Sequence, residues 1–156
     1  QYPNTIAAQK AAAARRRFRP VGQKIALRGT TLSGTKLDLA SLRGKVVVVH
    51  YWATWCEPCL EQMEQLRTLQ TRYGRKRFQI VGVNLDTNAQ DVKAYLQNRR
   101  FQWSHLFEKG GLDSRLANEL GILSLPTMLL IGADGKVLTR NLHIEAAEAQ
   151  VKAALQ

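Results

Sequence analysis

Two cysteines three positions apart, Cys56 and Cys59, are the residues whose type and spacing most directly indicate chemistry. Three residues span nearly one turn of an α-helix, so both sulfur atoms can lie on one side of a helix and reach disulfide geometry. The chain of 156 residues has no other cysteine, which favours redox use of the pair over scaffolding. We therefore expect a redox-active disulfide, no metal site and no other cofactor.

The residues around this pair place it at the start of a helix. Residues 46–49 are all valine, which is typical of a strand buried on both faces in a parallel sheet. Pro58 suits the first turn of a helix, where a proline loses no hydrogen bond. The helix N-terminus favours a thiolate, so we expect Cys56 to be the attacking thiolate and Cys59 the resolving thiol. Glu57 opposes the helix dipole and predicts a more reducing couple than a neutral residue would give.

Other uses of a Cys-x-x-Cys pair have to be weighed. A zinc site would need a second pair of ligands, and His50, His105 and His143 are scattered without metal-ligand spacing. A c-type haem attachment requires histidine directly after the second cysteine, where this chain has Leu60. A purely structural disulfide stays open as an alternative, although so short a loop gains little stabilisation from chain entropy.

Residues 52–59, WATWCEPC, closely resemble the active site of the TlpA/ResA-like thiol-disulfide oxidoreductases, thioredoxin-fold proteins of the redoxin/AhpC-TSA family found in bacterial cell envelopes. The similarity extends over about residues 22–155. It implies an α/β thioredoxin-like fold, a central mixed β-sheet flanked by helices, with an N-terminal β-hairpin and a central insertion of about 87–111. It also implies reduction of disulfides in other envelope or periplasmic proteins, a membrane-bound electron donor, and a membrane tether supplied by an upstream segment.

A second stretch, Leu125-Pro126-Thr127, matches the cis-proline that faces the two cysteines in thioredoxin-fold proteins. Taken alone, a proline ahead of a strand is an ordinary strand start. The resemblance implies instead that Pro126 belongs to the catalytic site and that Leu125 offers backbone groups to an extended substrate peptide. By the same resemblance, Trp55, Pro58, Leu125 and Thr127 are expected to contact the substrate.

Three positions depart from the family pattern. His50 stands where thioredoxins bury an aspartate and many TlpA/ResA-like proteins have asparagine, and alternation puts it on the face of Val48, partly buried. His50 is either a base that accepts the Cys59 proton near neutral pH or a packed, hydrogen-bonded histidine. Gln62 and Glu64 replace a glutamate and a helix-kinking proline of several family members, so acid assistance there is not expected and the helix should be straighter.

Sequence patterns also predict the elements that position these residues. Helical periodicity and terminating glycines predict a helix from the cysteine pair to Gly74 and further helices at 89–99, 114–120 and 144–155. Apolar runs predict strands at 25–27, 36–39, 46–49, 78–84, 127–131 and 137–140, with a short one within 101–107. The first two strands form the hairpin, and Thr87 with Gln90 is spaced as a capping box.

The net charge of +11 is unevenly distributed, because basic residues accumulate before the first acidic residue, Asp38. We divide the chain into a basic arm or linker, 1–21, and a thioredoxin-like domain, 22–156. Residues 5–17 are predicted to be helical and too polar to span a membrane. The arm is either a solvated linker or a contact for an acidic partner or an anionic surface, and no pattern predicts specific nucleic-acid binding.

Two other functions compete with disulfide reduction. A thiol peroxidase of the redoxin type usually has the pattern Pro-x-x-x-Thr-x-x-Cys, and the segment before Cys56 lacks that proline. The other alternative is a redox-sensitive binding domain of a larger envelope protein. The presence of Cys56, Cys59 and Pro126 together argues against a simple loss of catalytic activity.

Overall fold

The protein is described by a computed structural model that covers the backbone of residues 5–17 and 21–156 and the side chains of residues 5–11 and 21–156. Its helices are α1 Ile6–Arg17, α2 Glu57–Tyr73, α3 Ala89–Leu96, α4 Arg115–Asn118 and α5 Ile144–Leu155, with short 3-10 helices at Leu39–Leu42 and Gly111–Asp113. Its strands are β1 Arg28–Thr30, β2 Lys36–Asp38, β3 Val46–Trp52, β4 Phe78–Asn84, β5 Ser104–Phe107, β6 Thr127–Ile131 and β7 Val137–Thr139.

A mixed sheet of five strands forms the centre of the domain, in the order β5-β4-β3-β6-β7. β3 runs parallel to β4, and β4 runs parallel to β5, whereas β6 is antiparallel to both β3 and β7. β1 and β2 form a separate antiparallel hairpin. The predicted mixed sheet and N-terminal hairpin are therefore confirmed, and all seven residues of β3 are buried, as the run of valines predicts.

The sheet divides the core into two layers, because alternate side chains of β3 point to opposite faces. Val48 and Trp52 pack with Met63 of α2 and Val151 of α5. Val49 and its alternating neighbours pack on the other face, with apolar residues of α4 and of the segment around the hairpin. The two cysteines and His50 belong to the α2 side of the sheet.

Both edges of the sheet are covered by the N-terminal part of the domain. At the β7 edge, Gly22 N–H donates to the Val137 carbonyl at 2.9 Å, and Val137 N–H donates to the Gln23 carbonyl at 3.0 Å. At the β5 edge, Leu32 N–H donates to the His105 carbonyl at 3.0 Å. Covering an edge in this way hides backbone groups that would otherwise pair with another chain.

Several predicted boundaries are wrong. β3 continues to Trp52 rather than ending at 49, and α4 ends at Asn118 rather than 120. The first hairpin strand is Arg28–Thr30 rather than 25–27, because the apolar side chain of Leu27 turns into the core while the ladder forms further along. α3 ends at Leu96 rather than 99, since Asn98 adopts a left-handed backbone with φ 66°. Its N-cap is Asn88, whose side-chain oxygen accepts from Gln90 N–H at 2.8 Å, so the predicted Thr87 capping box does not form. The predicted insertion contains α3 and β5.

The predicted N-terminal helix is present as α1, and it packs against α4 and the Gly111–Asp113 turn. Lys10 Nζ lies 3.2 Å from an Asp113 carboxylate oxygen and also donates to the Leu112 carbonyl. Residues 1–4 and 18–20 of the predicted arm, Pro20 among them, lie outside the described residues. Within 5–17 and 21–156, no helix combines the length and the apolar character that a membrane span requires.

Candidate redox site

The two cysteines lie where β3 passes into α2. Cys56 is the N-cap residue of α2, and its Sγ accepts a hydrogen bond from Cys59 N–H at 3.3 Å. Pro58 occupies the first turn, as the sequence predicts. The two sulfur atoms are joined in a disulfide, with the Cα atoms 5.3 Å apart. The structure therefore shows the oxidised form, and the helix N-terminus already directs an N–H group at the Cys56 sulfur.

The two sulfurs differ in their access to solvent. Cys56 is 6% exposed and Cys59 is fully buried, so an external partner can reach only the first of them. Trp55 is 63% exposed beside the pair, and Glu57 and Pro58 are also exposed. This asymmetry suits one cysteine that exchanges with a partner and a second that reacts only inside the protein.

The loop before β6 brings Pro126 to the same end of the sheet. The Leu125–Pro126 peptide bond is cis. Thr127 pairs with Tyr51, one residue before the end of β3, so this loop lies beside the redox loop. A groove of about 360 Å³ runs from Gln62 past Pro126 and Thr127 to residues 141–143. Of the predicted substrate contacts, Thr127 lines this groove and Leu125 directly precedes Pro126, and both are partly exposed.

His50 is fully buried rather than partly buried as predicted. Its Nε2 lies 3.1 Å from Gln62 Oε1, and burial lowers the pKa of His50 to about 4. The imidazole is therefore neutral near neutral pH, which favours the packed, hydrogen-bonded interpretation over a base that becomes fully protonated there. Gln62 follows Cys59 by three residues on α2, so both side chains lie on the face of the helix that meets His50.

Asp86 is a buried residue of the site that sequence reasoning passed over. It is 4% exposed and lies just after β4. Its carboxylate accepts from Thr54 N–H at 2.9 Å, from the Thr54 hydroxyl at 2.6 Å and from the Asn84 side-chain amide at 2.8 Å. The sequence signal that could have identified Asp86 is a single acidic residue directly after an apolar strand. The C-terminal ends of parallel strands meet at one edge of the sheet, so such a residue is expected near the redox loop that follows β3.

His105 is the other residue that the sequence did not link to the site. Its Nδ1 accepts from Trp52 Nε1–H at 3.1 Å, and burial lowers the pKa of His105 to about 3. The ring lies directly over Gly82, where an added Cβ would stand 2.3 Å from Nδ1. Gly82 therefore makes room for a histidine of the insertion to hold the Trp52 side chain, immediately before the redox loop.

The chemistry available here is thiol-disulfide exchange. In the part of the chain with described side chains, His, Cys, Asp and Glu form no group of three placed to hold a metal ion. The reactive groups are the two sulfurs, and the surrounding residues position them or control access to them.

Comparison with known proteins gives a consistent picture. The sequence model described as Redoxin matches residues 9–155. The thiol-disulfide oxidoreductase ResA of Bacillus thuringiensis is 32% identical over 109 residues, which are 70% of this chain and 61% of ResA. The thioredoxin-like protein YneN of Bacillus subtilis is 30% identical over 117 residues, 73% of this chain and 65% of YneN. The chain thus spans about three fifths of the length of these relatives.

Solved structures share the fold. A thiol-disulfide oxidoreductase from Bacteroides fragilis superposes with a TM-score of 0.73 at 27% identity, covering 86% of this chain and 98% of that one. The α/β thioredoxin-like fold expected from the sequence is therefore confirmed.

Proposed function

The chain belongs to the Redoxin family, and from this we propose that it is a thiol-disulfide oxidoreductase that reduces disulfides in other proteins through Cys56 and Cys59. One observation carries the proposal: the disulfide at the start of α2 joins Cys56, which is 6% exposed, to Cys59, which is fully buried. That arrangement supports a two-step exchange in which the enzyme releases its partner without help. No cofactor beyond the cysteine pair is required by this chemistry.

The exchange begins from the reduced protein. The Cys56 thiolate attacks one sulfur of a substrate disulfide, the substrate S–S bond breaks, and the other substrate sulfur leaves as a thiolate that takes up a proton. Cys59 then loses its proton and attacks Cys56 Sγ, which forms the internal disulfide and releases the second substrate cysteine. Two electrons pass to the substrate, and a dithiol donor must return two electrons before the next cycle.

The other site residues are assigned to substrate binding and positioning. We assign Pro126 and the backbone of Leu125 to holding an extended segment of the substrate next to Cys56. Trp55, Pro58 and Thr127 would form the surface around that segment, which is supported by their exposure or partial exposure at this end of the sheet.

The partners and location also remain part of the proposal. We place the protein in the bacterial cell envelope or periplasm, with a membrane-bound dithiol as electron donor and cysteine-containing proteins as substrates. The support is the similarity to ResA and the motif at residues 52–59. The basic arm would meet an acidic partner or an anionic surface, and its net charge supports this more than a specific nucleic-acid contact.

The equilibrium with glutathione tests the proposed direction and the role of Glu57. A reductase should require a low fraction of oxidised glutathione to become half oxidised, whereas a disulfide donor would stay reduced at a much higher fraction. Glu57→Gln should move the equilibrium toward the dithiol by up to about threefold, because an exposed charge next to the thiolate is screened by solvent. Thiol trapping measures both values. Glu61→Gln on the same helix is the control. A shift in Glu57→Gln that equals the shift in Glu61→Gln, or that runs toward the disulfide, would contradict the role assigned to Glu57.

Replacing His50 with asparagine tests proton relay. Because burial lowers the pKa of His50 to about 4, its charge does not change between pH 6 and pH 8, and asparagine can still bond with Gln62. We expect insulin reduction by His50→Asn to stay within about threefold of wild type at every pH in that range. The measurement is the rate of dithiothreitol-driven insulin reduction at pH 6, 7 and 8. If the loss of insulin-reduction rate in His50→Asn changes by tenfold between pH 6 and pH 8, the result would instead support proton relay through His50.

A further inference from the structure

We propose that Asp86 is a positioning residue for the redox loop, acting through Thr54 to hold Cys56 at the N-terminus of α2. The inference rests on the proposed function for its significance, because a well-held Cys56 is what disulfide exchange requires. The hydrogen bonds of Asp86 go to Thr54 and Asn84 and not to the sulfurs, so its effect passes through the backbone between β3 and α2.

The register of the sheet puts Asp86 beside the redox loop. Trp52 and Asn84 are paired at the ends of β3 and β4, and Leu85 N–H donates to the Trp52 carbonyl at 2.8 Å. The chain therefore leaves both strands at the same level. One residue later, Asp86 reaches the segment that leads from Trp52 to Cys56.

The Asp86 carboxylate binds both hydrogen-bond donors of Thr54. Oδ2 accepts from Thr54 N–H and Oδ1 accepts from the Thr54 hydroxyl, at 2.9 and 2.6 Å. Two bonds to two oxygens fix the orientation of Thr54 as well as its position, and bonds to a charged acceptor are stronger than bonds between neutral groups. Because the carboxylate is buried, loss of the Thr54 hydroxyl is costly, since it removes the hydrogen-bond donor to Oδ1.

The carboxylate is itself held in place. Asn84 donates its side-chain amide to Asp86 Oδ2 at 2.8 Å, and Asn84 Oδ1 accepts from Asp86 N–H at 2.8 Å. This reciprocal pair ties Asp86 to the end of β4, a central strand. Thr54 is thus anchored to the sheet rather than to another loop.

Thr54 lies inside the turn that ends at Cys56. Cys56 N–H donates to the Ala53 carbonyl at 3.1 Å, and this bond encloses Thr54 and Trp55. If Thr54 moves, the turn moves with it, and Cys56 Sγ loses its alignment with Cys59 N–H. The helix N-terminus stabilises the thiolate through this alignment, so loosening Thr54 should make Cys56 a weaker nucleophile at neutral pH.

The test compares Thr54→Val with Thr54→Ser in the reduced full chain. Valine keeps the shape but removes the hydroxyl donor, whereas serine keeps both donors. For Thr54→Val we expect the pH midpoint of Cys56 alkylation by iodoacetamide to rise, and the alkylation rate at pH 7 to fall at least threefold. Thr54→Ser should behave as wild type. Asn84→Ala, which loosens Asp86 without touching Thr54, should shift the profile in the same direction.

A remote variant separates positioning from stability. Ile131→Val removes buried volume from β6 on the opposite face of the sheet, where Ile131 pairs with Val47 near the start of β3, and should lower the urea midpoint while leaving the alkylation profile unchanged. If Thr54→Val lowers the urea midpoint but leaves the Cys56 profile at its wild-type position, the inference is overturned. Alkylation of Cys56 needs no protein substrate, so this test remains valid even if the protein does not reduce insulin. If the protein reduces insulin but Thr54→Val does not shift the alkylation profile, the positioning role of Asp86 is rejected and the proposed function is not.

Discussion

Replacing Cys59 with serine should yield a protein that attacks a substrate disulfide once and then stays covalently joined to the substrate. The accessible Cys56 can still form the mixed disulfide, but the serine hydroxyl cannot resolve it. Multiple-turnover reduction of insulin should fall by at least about a thousandfold, as when a nucleophile is removed from other enzymes. The adduct is measured on non-reducing gels, and turnover is measured as insulin precipitation with dithiothreitol as the electron source.

Cys56→Ser is the matched variant, because it leaves the buried Cys59 as the only thiol. It should lose turnover to the same extent and form no adduct, since a substrate disulfide cannot reach a fully buried sulfur. Equal adduct formation by the two variants would show that the assignment of attacking and resolving cysteines is wrong. Turnover that survives in Cys59→Ser with hydrogen peroxide as the substrate would instead support the peroxidase alternative.

The folded protein should lose about 4 kcal/mol of its free energy of unfolding between pH 7.5 and pH 5 through two buried histidines. Burial lowers the pKa of His50 to about 4 and that of His105 to about 3. An unfolded histidine has a pKa near 6.5, so the unfolded chain binds protons first as the pH falls. Each neutral histidine therefore stabilises the folded protein fully above about pH 6.5, and this stabilisation is lost as the pH falls toward the pKa of the histidine in the folded state. By pH 5 the loss is about 2 kcal/mol for each histidine.

Urea unfolding at several pH values between 7.5 and 5 measures this loss. His50→Asn should remove about half of the pH dependence, whatever its effect on stability at pH 7.5. His143→Asn is the control, because His143 is exposed at the start of α5 and its replacement should leave the slope unchanged. A stability that stays constant over this range in the wild type would contradict the burial of both histidines as neutral groups.

The parts of the site that the sequence predicted are those encoded by neighbouring residues. The four valines, the Cys-x-x-Cys spacing and Pro58 act within one strand and one helical turn, so the order from buried strand to helix N-terminus could be read directly. The helical periodicity of apolar residues along α2 is a local signal of the same kind. The family resemblance added Pro126, which is distant in the sequence.

The parts that were missed depend on how strands are aligned. Asp86 reaches Thr54 because β3 and β4 end at the same level, and no local pattern fixes that alignment. His105 reaches Trp52 across β4 because the residue between them is Gly82, whose missing side chain leaves space for the ring. The complete burial of His50 likewise depends on α2 and Gln62 covering it. Contacts of this kind follow from the register of the sheet, which sequence periodicity does not specify.

The paired edges of the sheet bear on how a substrate would be bound under the proposed function. Many peptide-binding domains take up a ligand as an additional strand, which requires a free row of backbone groups. Here residues 22–24 pair with the start of β7, and Thr31 and Leu32 pair with the middle of β5, so part of each row is already engaged by the protein's own N-terminal segment. Under the proposed function, a substrate would instead approach from the end of the sheet, where the redox loop and the loop of Pro126 lie side by side. Few residues on either side of the target cysteine would be sampled there.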